Sequence, residues 1–364
     1  MAKLDAFLKL GREQGCSDVH LAVGVPPMLR MNGEVLPIKF RNLGDTELET
    51  YIGEILTASQ AKRLEAGEDL DFAYTAEGIG RFRVNVYRKL TGIGAAVRHI
   101  PEDIPSWDSL GLPPLIEKLS WQHQGLVLVT GATGTGKSTT LASLIGLING
   151  RDRRNIITLE DPIEFVHRSD QCQVIQREVG THVPSFGDGL RAALREDPDV
   201  ILVGELRDPE TIALAMTAAE TGHLVLATLH TTSAMKTIDR LVDAMPAEQR
   251  EQVKLFLAHH LHAVVSQQLV RTADGRGRRA VVETLVMTRA IANLIQQNKT
   301  FQIPDQIRSG VQHGMQLMDQ ALLEALQRKE VDPDDAYLAA SDRKQFQRFV
   351  TDTALLPKVE LAGG

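Results

Sequence analysis

The sequence predicts an α/β protein of two domains, a small α+β unit followed by a larger one built on a mainly parallel sheet. Three observations carry this expectation. The chain has 364 residues, more than a single core of about 100–200 residues holds. Four prolines, Pro101, Pro105, Pro113 and Pro114, fall in a short stretch without sustained periodicity, which reads as a linker. Beyond it, short apolar, β-branched runs at 126–130, 156–159, 200–203 and 224–229 alternate with helix-length segments, the pattern of a parallel sheet flanked by helices. The expected division is a domain at 1–100, a linker at 101–115, a domain with C-terminal helices at 116–350, and a flexible tail at 351–364.

The elements follow in order. Leu4, Phe7 and Leu8 sit at helical spacing and predict a short opening helix. Strands are expected at 19–23 and 28–31. Asn32-Gly33 before Val35-Leu36 signals a two-residue hairpin turn, because both turn positions tolerate positive φ. A helix over 45–66 places Leu48, Ile52, Ile55 and Leu56 on one stripe, and Gly67 suits its end. Phe82, Val84 and Val86 alternate with Arg81, Arg83 and Asn85, so a strand there buries one face and holds both arginines on the other. Ile93, Ala95 and Val97 repeat the alternation and lead to Arg98. In the larger domain a helix is expected over 139–148, and Met318, Leu322, Ala325 and Leu326 predict another near the end.

Composition narrows the function classes. Forty Lys and Arg against 47 Asp and Glu give a formal charge of -7, which supplies no general attraction to a phosphate backbone. Aromatic residues make up 4% and no basic, aromatic-rich segment occurs, so nucleic acid is not an expected partner. Cys16 and Cys172 stand far apart, which excludes a disulfide framework and a four-thiolate zinc site and suits a reducing cytoplasm. No export signal and no apolar run of the roughly 18–20 residues needed to span a bilayer is seen, so any membrane contact is expected to be peripheral.

The chemistry concentrates in four segments. Gly131, Ala132, Thr133, Gly134, Thr135, Gly136, Lys137 and Ser138 match the phosphate-binding pattern G-x-x-x-x-G-K-[ST], with a strand before and a helix beginning near Thr139 after. Backbone N–H groups and the helix N-terminus would face the phosphates of ATP, Lys137 the β- and γ-phosphates, and the Ser138 hydroxyl Mg²⁺. Val200-Ile201-Leu202-Val203 leads to Gly204-Glu205, a carboxylate at the end of a buried strand, where open α/β sheets collect ligands. Glu205 stands where an Asp is usual, and its longer side chain suits a water-mediated contact with Mg²⁺. After 156–159 come Glu160-Asp161-Pro162-Ile163-Glu164, so Glu160 or Glu164 is a candidate to polarise the attacking water, and Asp161 a turn cap. His223 and His230 bracket the run at 224–229. His230 stands at the strand end expected of a γ-phosphate sensor, and His223 about 20 Å away at the other end is the second candidate for a nucleotide-linked role.

These segments, in this order, resemble the type IV pilus retraction motor family of secretion ATPases, PilT and its paralogue PilU. The likeness also runs through Ser17-Asp18-Val19-His20-Leu21, Arg81-Phe82-Arg83-Val84-Asn85, Gln176-Arg177-Glu178-Val179-Gly180, Gly204-Glu205-Leu206-Arg207-Asp208 and Ala290-Ile291-Ala292-Asn293-Leu294-Ile295, covering nearly the whole chain. It implies a PAS-like N-terminal domain, a RecA-like ATPase domain, a homohexameric ring, and docking on an inner-membrane platform protein (PilC-like) at the pilus base. It also implies that Arg81 and Arg83, with Arg98 beside them, face the nucleotide of an adjacent subunit, the proline linker acting as hinge. The family's extension and secretion relatives commonly carry an additional N-terminal domain and a four-cysteine zinc motif, so retraction is favoured here. Ala292 and Gln296 replace two arginines of the retraction pattern, and Gln267-Gln268-Leu269-Val270 is closer to the paralogue. Principal motor and accessory motor dependent on a paralogous retraction ATPase both stand as expectations, against a nucleic-acid translocase with a RecA-like core as the alternative of another class.

Overall fold

The computed structural model describes residues 2–31, 34–100 and 103–357. The chain separates into two compact units, one of Met1–Asp103 with Pro162–Val166, the other of Ile104–Asp161 with His167–Gly364.

The first unit is an antiparallel sheet with helices on one face. Its elements are α1 (Asp5–Glu13), β1 (Asp18–Ala22), β2 (Met28–Met31), β3 (Glu34–Pro37), α2 (Asp45–Gly53), α3 (Ala58–Glu65), β4 (Leu70–Ala76), β5 (Gly80–Lys89) and β6 (Gly92–Ile100). Six strands pair in the order β3-β2-β1-β6-β5-β4. Phe82, Val84 and Val86 on β5 and Ile93, Ala95 and Val97 on β6 are buried beneath Leu4, Leu8, Leu48 and Ile52. Burial of this alternating set fixes the register, since a one-residue slip would turn it to the other face. The single helix expected over 45–66 is two. Thr57 accepts a hydrogen bond from the Gln60 N–H at 3.3 Å while Gln60 Oε1 accepts from the Thr57 N–H at 2.8 Å, and this reciprocal cap starts α3 afresh. The strands flanking the expected hairpin pair as foreseen, Met31 opposite Glu34, while its turn residues Asn32 and Gly33 lie outside the described residues.

The second unit begins with α4 (Pro114–Leu119), β7 (Gly125–Thr130), α5 (Lys137–Arg151), β8 (Asn155–Glu160), β9 (Gln173–Glu178), α6 (Phe186–Ala193) and β10 (Val200–Val203). It continues with α7 (Pro209–Glu220), β11 (Leu224–Leu229), α8 (Ala234–Asp243), α9 (Arg250–His260), β12 (Leu261–Arg271) and β13 (Arg278–Val286). It closes with α10 (Arg289–Gln296), α11 (Ile303–Ser309), α12 (Met318–Gln327) and α13 (Pro333–Ala339). The seven strands run β13-β12-β7-β11-β10-β8-β9, all parallel except β13. Buried residues line both faces: Leu141, Leu144, Ile145 and Ile148 of α5 pack on one, Ile212, Ile238 and Leu257 of α7, α8 and α9 on the other. A third cluster joins Met318, Leu322 and Leu326 of α12 to Val270, Val281, Tyr337 and Phe346.

Four strands, β4, β9, β12 and β13, lie outside the strands expected from the sequence. Of the stretch expected as a linker, Pro101 and Glu102 lie outside the described residues, and from Ile104 onward it belongs to the second unit. Trp107, Leu110, Leu112 and Ile116 pack into its core, and the Pro105 carbonyl accepts from Ser143 of α5 at 2.9 Å. In the expected tail, Thr351 donates its N–H to Asp334 at 2.7 Å and Leu355 packs on the third cluster, while 358–364 lie outside the described residues. Among the described residues no helix is long and apolar enough to cross a membrane.

Candidate nucleotide site

The register of the sheet gathers the sequence motifs along its carboxyl edge. Thr130 of β7 pairs with Leu229 of β11 and Ser266 of β12, and Val203 of β10 pairs with Ala227 of β11 and Leu159 of β8. Gly131, His230, Glu205 and Glu160 therefore emerge side by side from adjacent parallel strands, the position at which open α/β sheets bind ligands.

Gly131 to Gly136 form a tight loop between β7 and α5. Gly131 has φ 148° and donates its N–H to the Leu229 carbonyl at 3.2 Å. A Cβ there would stand 2.4 Å from the Gln267 carbonyl oxygen, so nothing larger than glycine fits. Gly136, at φ 87°, forms the N-cap of α5, and a Cβ there would meet Gln267 Nε2 at 2.8 Å. Thr135 closes the turn by donating its hydroxyl to the Ala132 carbonyl at 2.9 Å. Lys137 is buried; its ammonium donates to the carbonyls of Gly131 and Ala132 at 2.8 and 2.9 Å and so lies against the loop that would hold the phosphates. Ser138 and Thr139 follow in the first turn of α5, whose N-terminal dipole faces the same loop.

The acidic side of the site is built by β10 and its neighbours. Gly204 donates its N–H to the Leu159 carbonyl at 2.7 Å, and its own carbonyl accepts from Thr228 Oγ1 at 2.5 Å, which fixes the backbone from which Glu205 projects. The Glu205 carboxylate, 17% exposed, meets His230 Nε2 at 3.1 Å through Oε1 and Arg207 Nη2 at 2.7 Å through Oε2. Arg207 also approaches Asp161 at 3.9 Å. Asp208 then caps α7, accepting from the Thr211 N–H and hydroxyl at 2.8 Å each. Glu160 is held through Oε1 by the Thr158 hydroxyl at 2.6 Å and Gln176 Nε2 at 3.1 Å.

The candidates expected from sequence are thus partly gathered and partly dispersed. The loop residues, Lys137, Ser138, Thr139, Glu160, Glu205 and His230 share one edge. Glu164 is exposed and lies in Pro162–Val166, the segment that groups with the first unit. His223 precedes β11 at the opposite edge, where Leu224 pairs with Gly125. Its Nδ1 donates to the Ala218 carbonyl at 2.9 Å, so within one chain it is a loop anchor, about 20 Å from His230. His223→Ala is expected to leave ATP affinity within about twofold of the parent, whereas His230→Ala lowers turnover; nucleotide titration and steady-state hydrolysis check the pair.

Arg81, Arg83 and Arg98 stand on the face of the first unit's sheet away from its core, Arg83 directly opposite Arg98. Arg83 is clamped by Asp71, with Nε 3.0 Å from Oδ1 and Nη2 2.5 Å from Oδ2, and Arg98 Nε donates to Asp18 at 2.8 Å.

Sequence reasoning missed Arg207, Gln176 and Gln267. Arg207 had a signal, standing two residues beyond Glu205. Gln176 and Gln267 stand in segments that carry the family likeness, but their tasks are not visible there, because each acts from a neighbouring strand outside the expected set.

A phosphate-type loop closed on a helix, with strand-end carboxylates beside it on an open parallel sheet, defines a P-loop nucleoside triphosphatase. Residues 111–351 match the family described as type II/IV secretion system protein, and the chain belongs to that family, within its PilT/PilU group of secretion ATPases. The type IV pilus retraction ATPase PilT of Pseudomonas aeruginosa is 47% identical over 316 residues, 87% of this chain and 92% of PilT. The type IV pilus ATPase PilU of the same species is 40% identical over 348 residues, 96% of this chain and 91% of PilU. A crystal structure of the pilus retraction motor PilT with bound ADP superposes with a TM-score of 0.87 at 42% identity, covering 96% of this chain and 99% of that one. The chain is accordingly a nucleotide-binding ATPase.

Proposed function

We propose that this chain is the ATP-hydrolysing motor of type IV pilus retraction, and so of twitching motility. The observation that carries the reading is coverage: the likeness to PilT extends over 96% of the chain, the arginine-bearing first unit included, and not the ATPase core alone. In this reading a homohexamer works in the cytoplasm, peripheral to the inner membrane, and turns the platform protein (PilC-like) at the pilus base.

Each residue then has a task. The loop N–H groups from Gly131 to Thr139 and the Lys137 ammonium bind the phosphates of ATP. Ser138 directly, and Glu205 through water, would hold Mg²⁺, which when bound neutralises charge on the β- and γ-phosphates. The donor set is all oxygen, a hydroxyl and a carboxylate, which suits a hard ion that keeps much of its water. Glu160, fixed by Thr158 and Gln176, orients the attacking water in preference to Glu164. His230 reports the γ-phosphate to Glu205 through their 3.1 Å contact. Arg81 and Arg83, seconded by Arg98, are supplied by a neighbouring copy.

Steady-state hydrolysis per subunit, followed over a wide range of protein concentration, tests this. A steep rise to a plateau is expected as rings assemble, and cells lacking the protein should keep surface pili yet fail to twitch. Twitching at the parental rate in such cells would refute the reading. Two observations favour the accessory role: Ala292 and Gln296 stand one turn apart on α10, where the retraction pattern has arginines, and Gln267-Gln268-Leu269-Val270 is closer to the paralogue. Hydrolysis that stays at background until a paralogous motor is added would decide for it.

A further inference from the structure

We propose that Gln267 is a positioning residue of the nucleotide site, a template on β12 that shapes the phosphate loop and the first turn of α5. The proposal rests on the nucleotide-site reading above and adds a residue that no phosphate-loop pattern contains.

Gln267 is buried, at 2% exposed, and both ends of its amide are engaged. Nε2 donates to the Thr135 carbonyl at 2.7 Å, inside the loop, and Oε1 accepts from the Thr140 hydroxyl at 2.8 Å, on the first turn of α5. The orientation of the amide follows from its partners, because a carbonyl can only accept. One side chain therefore pins both ends of the arc from Thr135 to Thr140, and Lys137 and Ser138 lie within that arc. The backbone of the same residue abuts Gly131: a Cβ added there would stand 2.4 Å from the Gln267 carbonyl, and one added at Gly136 would stand 2.8 Å from its Nε2. Two fixed glycines of the loop thus back onto one residue of the neighbouring strand. Beside it, Ser266 Oγ lies 2.9 Å from Thr130 Oγ1, so β12 grips the loop's entry as well as its exit.

The physical consequence is pre-organisation. Phosphate binding by a loop depends on several N–H groups converging before the ligand arrives, and a loop free to relax loses affinity in ordering them. Leucine at 267 would fill a similar volume without either hydrogen bond. Glutamate could still accept from Thr140 but would set a carboxylate oxygen against the Thr135 carbonyl and bring negative charge toward the phosphates.

Gln267→Leu, Gln267→Glu, Thr140→Val and the Leu/Val double variant are to be compared with the parent and with Lys137→Ala, in the full-length protein. The readouts are ATP and ADP dissociation constants, KM and kcat, and melting temperature with and without ADP. Gln267→Leu is expected to weaken ATP and ADP binding by about tenfold and to shrink the stabilisation by ADP, with little change in the melting of the nucleotide-free protein. Thr140→Val should weaken binding less, the double variant no more than Gln267→Leu alone, and Gln267→Glu most of the three single changes. A folded Gln267→Leu protein with affinity within about twofold of the parent, while Lys137→Ala has lost binding, would overturn the proposal and leave the nucleotide site standing. Parental affinity in Lys137→Ala would remove the nucleotide-site reading and the proposal with it. Should Gln267→Leu fail to fold, Thr140→Val decides: weakened binding supports the template, and parental binding overturns it.

Discussion

Glu205→Gln should bind ATP about as tightly as the parent and hydrolyse it about 10²–10⁴-fold more slowly. The substitution keeps the size and backbone of the side chain, and Gly204, held between Leu159 and Thr228, keeps its direction. What it removes is one negative charge at the junction of His230 and Arg207. The amide oxygen can accept from Arg207 Nη2, and the NH₂ group then faces His230 Nε2, which meets it only by presenting a lone pair in place of an N–H. A carboxylate that serves the metal would leave its mark on kcat, while the binding contributed by Lys137 and the loop N–H groups stays with the dissociation constant. Fluorescent-nucleotide titration and single-turnover hydrolysis separate the two quantities. Turnover within about threefold of the parent would reduce Glu205 to an ordinary strand-end carboxylate.

How far this site was legible in the sequence depends on whether each residue's function is local. The phosphate loop is legible because its conformation and chemistry are encoded in eight consecutive residues. Glu205 and His230 are legible for a related reason: each follows a short apolar run, and in a parallel sheet such runs end at one edge. Gln267 illustrates the opposite case. Its task arises from the alignment of Ser266 with Thr130 across β12 and β7, a pairing between residues 136 apart that no local pattern announces. The same holds for Gln176 on β9, which reaches Glu160 only because β8 and β9 run in register. In the first unit the alternation of 82–86 was readable and is buried as expected. The break between α2 and α3 was readable too, through Thr57 and Gln60, but the continuing apolar stripe masked it. Glu283 lay beyond any such reading. It is buried on β13 and accepts from the Ala234 N–H at 2.7 Å and the Met318 N–H at 3.4 Å, capping α8 and α12 at once. Burial pushes its carboxyl pKa up, against those two N–H groups.

Arg83→Ala should lower hydrolysis by about 10³–10⁵-fold if its guanidinium completes the site of a neighbouring copy, the range an inserted arginine commands in phosphoryl transfer. Arg83→Lys should recover only part of this, because the ammonium keeps the charge but not the planar fork that Asp71 holds in place. Loss of activity alone would not separate an intersubunit role from a damaged sheet, so mixing carries the weight. Arg83→Ala subunits have an intact Glu205, and Glu205→Gln subunits have an intact Arg83. In a mixed ring, some interfaces bring a good arginine to a good carboxylate, and those sites should turn over although neither parent variant does. Hydrolysis measured after co-refolding or subunit exchange is expected to rise to a substantial fraction of the parental rate, with a maximum near equal proportions. If both residues served one chain's own site, every subunit in the mixture would carry a defect and no proportion would restore activity. Parental turnover in Arg83→Ala by itself would leave Arg83 a polar residue on the outer face of a sheet, ion-paired with Asp71.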